Sequence, residues 1–175
     1  MLLHDAGLSF LHMNRMIHGN LRPSNVLLSA AGHAKISDVG LDEHYVPDEH
    51  NSNWYKLPEE PKSIRSDIFS AGMIFSEMLT GAIPVRVKGH LVQNEMFRSL
   101  PKEIRGVIAR MLTPDPADRP ASVEEILPVI DELLQRPRAP ESESTSGRLQ
   151  QLVASGFGLS RLSGAVGALV KGAFR

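Results

Sequence analysis

Apolar residues return at helical spacing from the start of the chain. Leu2, Leu3, Leu8 and Leu11 recur with Ala6 and Phe10 and predict a helix from about Leu2 to Asn14. Shorter apolar runs at Ile17, at Val26 to Leu28 and at Ala34 to Ile36 predict short strands, with Ala31-Gly32 turning between the last two. The stretch from Asp42 to Lys62 is rich in charge, Asn and Pro and keeps no period, so it reads as loop. From Asp67 to Thr80 the pattern changes, because Ile68, Phe69, Ala71, Met73, Ile74, Phe75, Met78 and Leu79 fall on nearly every face. A helix apolar all round is a buried one, and Gly81 supplies the left-handed cap that closes it. Further helices are predicted over Val92 to Arg98, Lys102 to Leu112 and Ser122 to Leu134, the last opened by a capping box of Ser122 with Glu125.

The regular pattern ends near residue 136. Pro137 to Gly147 has almost nothing to bury and reads as a disordered linker. Residues 148–175 then form a basic amphipathic tail, with Leu152, Leu159, Val166 and Ala173 seven apart and Leu162 and Leu169 offset by three. Gly156, Gly158, Gly164, Gly167 and Gly172 each cost a helix interior about 1 kcal/mol relative to Ala, so a helical tail needs a surface to form on. A partner helix, an anionic membrane and the body of the same chain are the three candidates, with plain disorder beside them. Arg161 and Lys171 leave nine residues between them, too few for a transmembrane span of about 20.

Composition narrows the function classes. At 175 residues and 42% hydrophobic, the chain can bury one ordinary core, and the absence of Cys removes disulfides, thiolate nucleophiles and cysteine-based zinc sites. Met1 to Phe10 lacks the pattern of a secretory leader, so the cytoplasm is the default location. The net charge of -1 hides a split: residues 1–136 carry 14 Lys and Arg against 18 Asp and Glu, and residues 137–175 carry 5 against 2. The acidic body offers no basic stripe for nucleic acid. Nothing in the pattern sets an oligomeric state.

Several short motifs fall in a fixed order. In Met16-Ile17-His18-Gly19-Asn20-Leu21-Arg22-Pro23-Ser24-Asn25-Val26-Leu27-Leu28, the residues His18, Leu21 and Asn25 stand at the spacing of H-R-D-L-x-x-x-N, with Gly19 and Asn20 in the places of Arg and Asp. Lys35-Ile36-Ser37-Asp38-Val39-Gly40 is similar to a strand ending in D-F-G, and Leu57-Pro58-Glu59 stands where A-P-E is expected. Ser66-Asp67-Ile68-Phe69-Ser70-Ala71-Gly72 and Asp115-Pro116-Ala117-Asp118-Arg119-Pro120 complete the series. Residues 1–136 therefore resemble a protein kinase, specifically the C-lobe of a Ser/Thr kinase. The resemblance implies an α+β, mainly α-helical fold, with short β-strands around the catalytic loop and the C-terminal tail appended.

The resemblance also implies roles. Phosphoryl transfer depends on positioning and charge neutralisation, so such a lobe supplies metal ligands, a residue that orients the acceptor hydroxyl and a cation near the phosphate. Asp38 and Asn25 take the places of the two Mg²⁺ and nucleotide ligands, and Arg22 takes that of the catalytic-loop Lys. His18 is a structural member of the loop, Asp67 ties the loop down, and Glu59 pairs with Arg119. Asn20 is the break. Its amide can still hydrogen-bond an acceptor hydroxyl but cannot take the proton that a carboxylate takes, and general-base help is worth roughly 10²- to 10⁴-fold.

Other departures point the same way. Gly19 removes the Arg that in many kinases holds a phosphorylated loop, so phosphate on Tyr45, Ser52 or Tyr55 loses its usual reader. Val39 packs less than Phe. Only 17 residues precede His18, and they hold no Gly-rich loop and no strand Lys. The expectation is a catalytically impaired, pseudokinase-like module that binds a protein partner, with ATP and Mg²⁺ bound weakly or not at all unless an N-lobe completes the pocket. The tail adds an expected peripheral membrane contact. The alternative is the C-terminal part of a working ATP-dependent Ser/Thr kinase. Of the other histidines, His44 and His50 lie in a polar loop without paired acids and read as ordinary loop residues.

Overall fold

A computed structural model describes residues 7–29, 34–41, 54–57 and 61–135. The predicted linker and tail, and the start of the first predicted helix, lie outside the described residues. Helix α1 spans Leu8–Met13 and buries Leu8 and Leu11. Phe10, expected on the same stripe, is 42% exposed. The buried face instead carries Ser9 and His12 beside the two leucines. The Ser9 hydroxyl donates to the carboxylate of Glu124 and ties α1 to a 3-10 turn at Val123–Glu125.

The core is organised around α2, Ile64–Thr80. Ile68, Phe69, Met73 and Ile74 are almost wholly removed from water, worth about 1.5–3 kcal/mol for each such side chain relative to exposure. Helices α3 (Glu95–Ser99) and α4 (Lys102–Met111) pack against α2. Gly72 permits the closest approach, since a Cβ there would sit 2.8 Å from Cβ of Met111. The helix begins three residues before the predicted Asp67. Ser63 accepts from the Ser66 amide at 3.1 Å while the Ser66 hydroxyl accepts from the Ser63 amide at 2.8 Å, a reciprocal cap built from two serines instead of the usual Ser and Glu. Gly81 closes α2 at φ +72°, as its position predicts.

Strands β1 (Val26–Leu28) and β2 (Ala34–Ile36) match the predicted runs and pair antiparallel, Val26 opposite Ile36. Ile17 is not in a strand. The next amide, that of His18, donates to the side chain of Asp67 instead of to a ladder. A second hairpin was not legible in the pattern: β3 (Arg86–Val87) pairs with β4 (His90–Leu91). It displaces the predicted start of the next helix from Val92 to Glu95, where the Asn94 side chain caps the Phe97 amide at 2.7 Å.

The last predicted helix is divided. Val123–Glu125 forms the 3-10 turn and α5 starts afresh at Leu127, running to Gln135. Pro128 explains the division, because its ring opposes a continuous helix through residue 124 but is tolerated in a first turn. The capping box of Ser122 with Glu125 is absent. Glu125 instead accepts from the Ala121 amide at 2.8 Å and pairs with Arg110 at 2.7 Å. No helix among the described residues is long and apolar enough to cross a membrane.

Candidate functional site

The loop from His18 to Asn25 lies between α1 and β1 and is fixed from below by α2. Asp67, in the first turn of α2 and 1% exposed, accepts three hydrogen bonds. They come from the His18 amide at 2.8 Å, the Gly19 amide at 2.9 Å and Nε2 of His12 at 3.1 Å. A buried carboxylate is costly unless its oxygens are satisfied, and charge-assisted bonds of this kind are about twice as strong as neutral ones. One side chain therefore joins α1, the loop and α2.

Gly19 fits this arrangement for a backbone reason. It sits at φ +71°, where a residue with a Cβ is strained. The aliphatic stem of Lys62 also crosses it, with Cδ 3.0 Å from where a Cβ would stand. The glycine is thus matched to its conformation and covered by a lysine from the segment before α2.

His18 carries the frame across to β2. Its Nδ1 faces the Asn20 amide at 3.2 Å and its Nε2 faces the Ser37 carbonyl at 3.0 Å. An amide can only donate and a carbonyl only accept, so Nδ1 is the acceptor and Nε2 bears the hydrogen. The ring is neutral in this arrangement. Burial pushes its pKa below 6.5, against the opposing pull of Asp67, of backbone hydrogen bonds and of Asp38.

Asn20 is 7% exposed, and both its backbone groups are used. Its amide meets His18, and its carbonyl accepts from Nδ2 of Asn25 at 2.9 Å. Asn25, 3% exposed, closes a 3-10 turn at Pro23–Asn25. Its carbonyl accepts from the Ser37 amide at 2.9 Å. Because Val26 pairs with Ile36, Asn25 and Ser37 lie together at the open end of the hairpin, and Asp38 follows at once. Asp38 is exposed and left-handed, at φ +60°. Such a conformation in a residue other than Gly is uncommon and concentrates at functional sites. The amide of Gly40 donates back to the His18 carbonyl at 3.2 Å and holds the turn against the loop.

Of the residues singled out in the sequence, His18, Asn20, Asn25 and Asp67 thus form one connected network, with Asp38 at its edge. Arg22, half-buried, lies in the same loop between Leu21 and the 3-10 turn. Arg119 belongs to a different cluster, beside Phe69 of α2. Its guanidinium is 4.8 Å from the centroid of Phe69 and donates to the carbonyls of Thr113, Pro114 and Arg65 at 2.9–3.0 Å. Glu59, its expected partner, lies outside the described residues, as do Tyr45, Ser52, His44 and His50. No group of three or more His, Asp or Glu placed to hold a metal occurs among the described residues. The oxygen donors the sequence suggests are the Asp38 carboxylate and the Asn25 amide oxygen. Both are hard ligands of the type Mg²⁺ takes in small number beside phosphate and water.

Two contacts were not anticipated. His12 joins the network through Asp67, and the available signal was its place four residues after Leu8, on the buried stripe of α1. Tyr55 donates to Glu77 of α2 at 2.5 Å, and its phenol is pushed up first by burial and then by that hydrogen bond and the Glu77 charge. This bond fastens the segment before Leu57 to α2.

Known proteins are similar to this chain in sequence. The family model described as the protein kinase domain matches residues 5–137. Human cyclin-dependent kinase 20 is 35% identical over 88 residues, covering 43% of this chain and 25% of its own length. A mouse protein named inactive serine/threonine-protein kinase PLK5 is 31% identical over 151 residues, covering 74% of this chain and 24% of its own length. The chain thus spans about a quarter of the length of these curated relatives. With the motifs in order and the family model covering most of the chain, this protein belongs to the protein kinase superfamily.

Proposed function

We propose that residues 1–136 are the C-lobe of a Ser/Thr-kinase-like domain that is catalytically impaired and acts as a pseudokinase-type binding or regulatory module. The observation that carries this reading is Asn20. It sits inside an intact frame of His18, Asn25 and Asp67, yet offers an amide where proton transfer to the enzyme asks for a carboxylate. The frame does the work of holding a loop, which a binding domain needs as much as an enzyme does. That one relative of similar sequence is named inactive is consistent with this role.

A second reading is favoured by one observation. Asn25 and Asp38 stand at the same end of the β1–β2 hairpin with Arg22 nearby in the loop, which is where a Mg²⁺-nucleotide would be met if another segment completed the pocket. On this view ATP and Mg²⁺ belong to a longer working kinase of which this chain is the C-terminal part. Asp38 and Asn25 would hold the metal, which would neutralise phosphate charge, and Arg22 would face the transferring phosphate.

Thermal unfolding of the 175-residue chain with ATP, with and without Mg²⁺, tests the first reading. The expected result is no Mg²⁺-dependent shift. Stabilisation of about 2.7 kcal/mol, which a ligand at a hundredfold its dissociation constant produces, and its loss in Asp38→Asn, would overturn the expectation of weak nucleotide binding.

A further inference from the structure

Asn20 is 7% exposed and both its backbone groups are bonded, yet its side-chain amide makes no hydrogen bond among the described residues. A buried polar side chain is ordinarily paired. The oxygen and nitrogen of this amide are not sealed off either, unlike Nδ1 of His12, which is buried without a partner. The loop thus holds a donor and an acceptor in a fixed place, open to a molecule that arrives from outside. Because the His18 ring and Asn25 fix the backbone on either side, little order has to be gained on binding.

The amide also changes what the loop can accept. A carboxylate at residue 20 would only accept hydrogen bonds and would repel an anion, whereas Nδ2 of Asn20 donates. Cations border the position on both sides. Arg22, half-buried, follows two residues later, and the exposed Lys62 lays its aliphatic stem along Gly19, the residue before. The Asp67 carboxylate is buried, with its oxygens taken by two amides and His12. Among the described residues, Asp38 is the exposed acid beside the loop, past Asn25 at the hairpin end.

We propose that the Asn20 loop binds a phosphorylated Ser or Thr of a partner protein, with Nδ2 of Asn20 donating to a phosphate oxygen and the Arg22 guanidinium pairing with the phosphate. A phosphate monoester offers three strong acceptor oxygens and about -1.5 to -2 of charge near neutral pH, and a guanidinium matches two of those oxygens at once. An acceptor hydroxyl has a hydrogen to give and calls for a carboxylate. Its phosphorylated form calls for donors, which Asn20 and Arg22 supply. A like charge set against the ligand is strongly unfavourable in a desolvated site, so the exchange of acid for amide that removes a proton acceptor also opens the loop to the product of phosphorylation. This inference rests on the reading of the loop as a binding module and names its ligand.

A degenerate peptide pool with a fixed central phosphoserine or phosphothreonine, offered to the 175-residue chain beside the same pool unphosphorylated, tests it in buffer free of Mg²⁺ and nucleotide. Retained peptides are expected to come from the phosphorylated pool. Their affinity, read by fluorescence anisotropy, is expected to fall about tenfold or more in Asn20→Asp and in Arg22→Gln, to rise in Asp38→Asn, which removes a neighbouring anion, and to stay unchanged in Lys102→Gln on α4. Asn20→Asp keeps the side-chain shape and the backbone bonds, and Arg22→Gln reads the same contact independently. Equal retention of the two pools overturns the proposal, and so does wild-type affinity in both Asn20→Asp and Arg22→Gln. Displacement by inorganic phosphate at the concentration of the peptide itself overturns it in favour of a free anion. Absence of phosphopeptide binding from a chain that also transfers no phosphate overturns this ligand alone, whereas phosphate transfer by wild type overturns the impaired-kinase reading beneath it.

Discussion

The two hairpins are of similar size and both pack apolar side chains on the core, but the first adds a frame of directional polar bonds. Strands of two or three residues are not stable on their own, so each hairpin depends on what it touches. The β1–β2 hairpin is tied by directional polar bonds, Ser37 to Asn25, His18 to Ser37 and Gly40 to His18, and through His18 to the buried Asp67. The β3–β4 hairpin is fastened by a guanidinium over an aromatic ring and by apolar contact. Polar frames of the first kind fix atoms to a fraction of an ångström and fail when one member is lost. Apolar fastening of the second kind holds a surface in place and tolerates change. The first kind suits a site, whose atoms must hold fixed positions.

The sharpest way to break the comparison is Asp67→Ala. It strips acceptors from two buried amides and from His12 at once, and a loss on the order of 3–5 kcal/mol is expected from urea denaturation. A loss under about 1 kcal/mol would show that the loop is held by something other than this carboxylate. Next in size is Gly72→Ala, which pushes α2 away from Met111 and is expected to cost about 1–3 kcal/mol. Arg86→Ala, which unclasps the second hairpin, is expected to cost about 1 kcal/mol, consistent with a partly desolvated cation over a ring. If Arg86→Ala costs as much as Asp67→Ala, the two hairpins are not fastened differently after all.

A pH series sharpens the same contrast. The neutral His18 ring is required by its two partners, and its pKa is lowered in the fold. The unfolded chain therefore binds a proton at His18 before the folded chain does. The stability contributed is complete above pH 6.5 and falls as pH drops through 6.5 toward the lower folded value. In denaturation midpoints between pH 7.5 and 5.5, His18→Phe is expected to show a shallower loss than wild type, while Arg86→Ala keeps the wild-type slope.

How much of this was legible in the sequence depends on the kind of signal. Residues 26–28 and 34–36 read correctly as strands because short apolar runs were separated by turn residues. The buried α2 read correctly because its apolar residues cover every face, with Gly81 to end it. His18, Asn20, Asn25 and Asp67 were found together because motif spacing survives where periodicity says nothing, and the geometry joins them. The β3–β4 hairpin was missed because its Lys88-Gly89 turn is flanked by strands of only two residues, too short to show alternation. The start of α2 was missed because Ser66 serves where Glu or Gln is the recognised partner of a capping serine. The contact of His12 with Asp67 spans 55 positions, and no local pattern encodes a bond of that reach.

The central claim is that the frame around Asn20 persists without ordinary catalysis. Transfer of the γ-phosphate of ATP, with Mg²⁺, to the chain itself and to a generic Ser/Thr protein substrate, measured by mass spectrometry for wild type beside Asn20→Asp, tests it most directly. Wild type is expected to show no transfer above the uncatalysed background, with any gain confined to Asn20→Asp. Wild-type turnover in the range of about 1–100 s⁻¹ usual for kinases, with no increase on restoring the carboxylate, would contradict the claim.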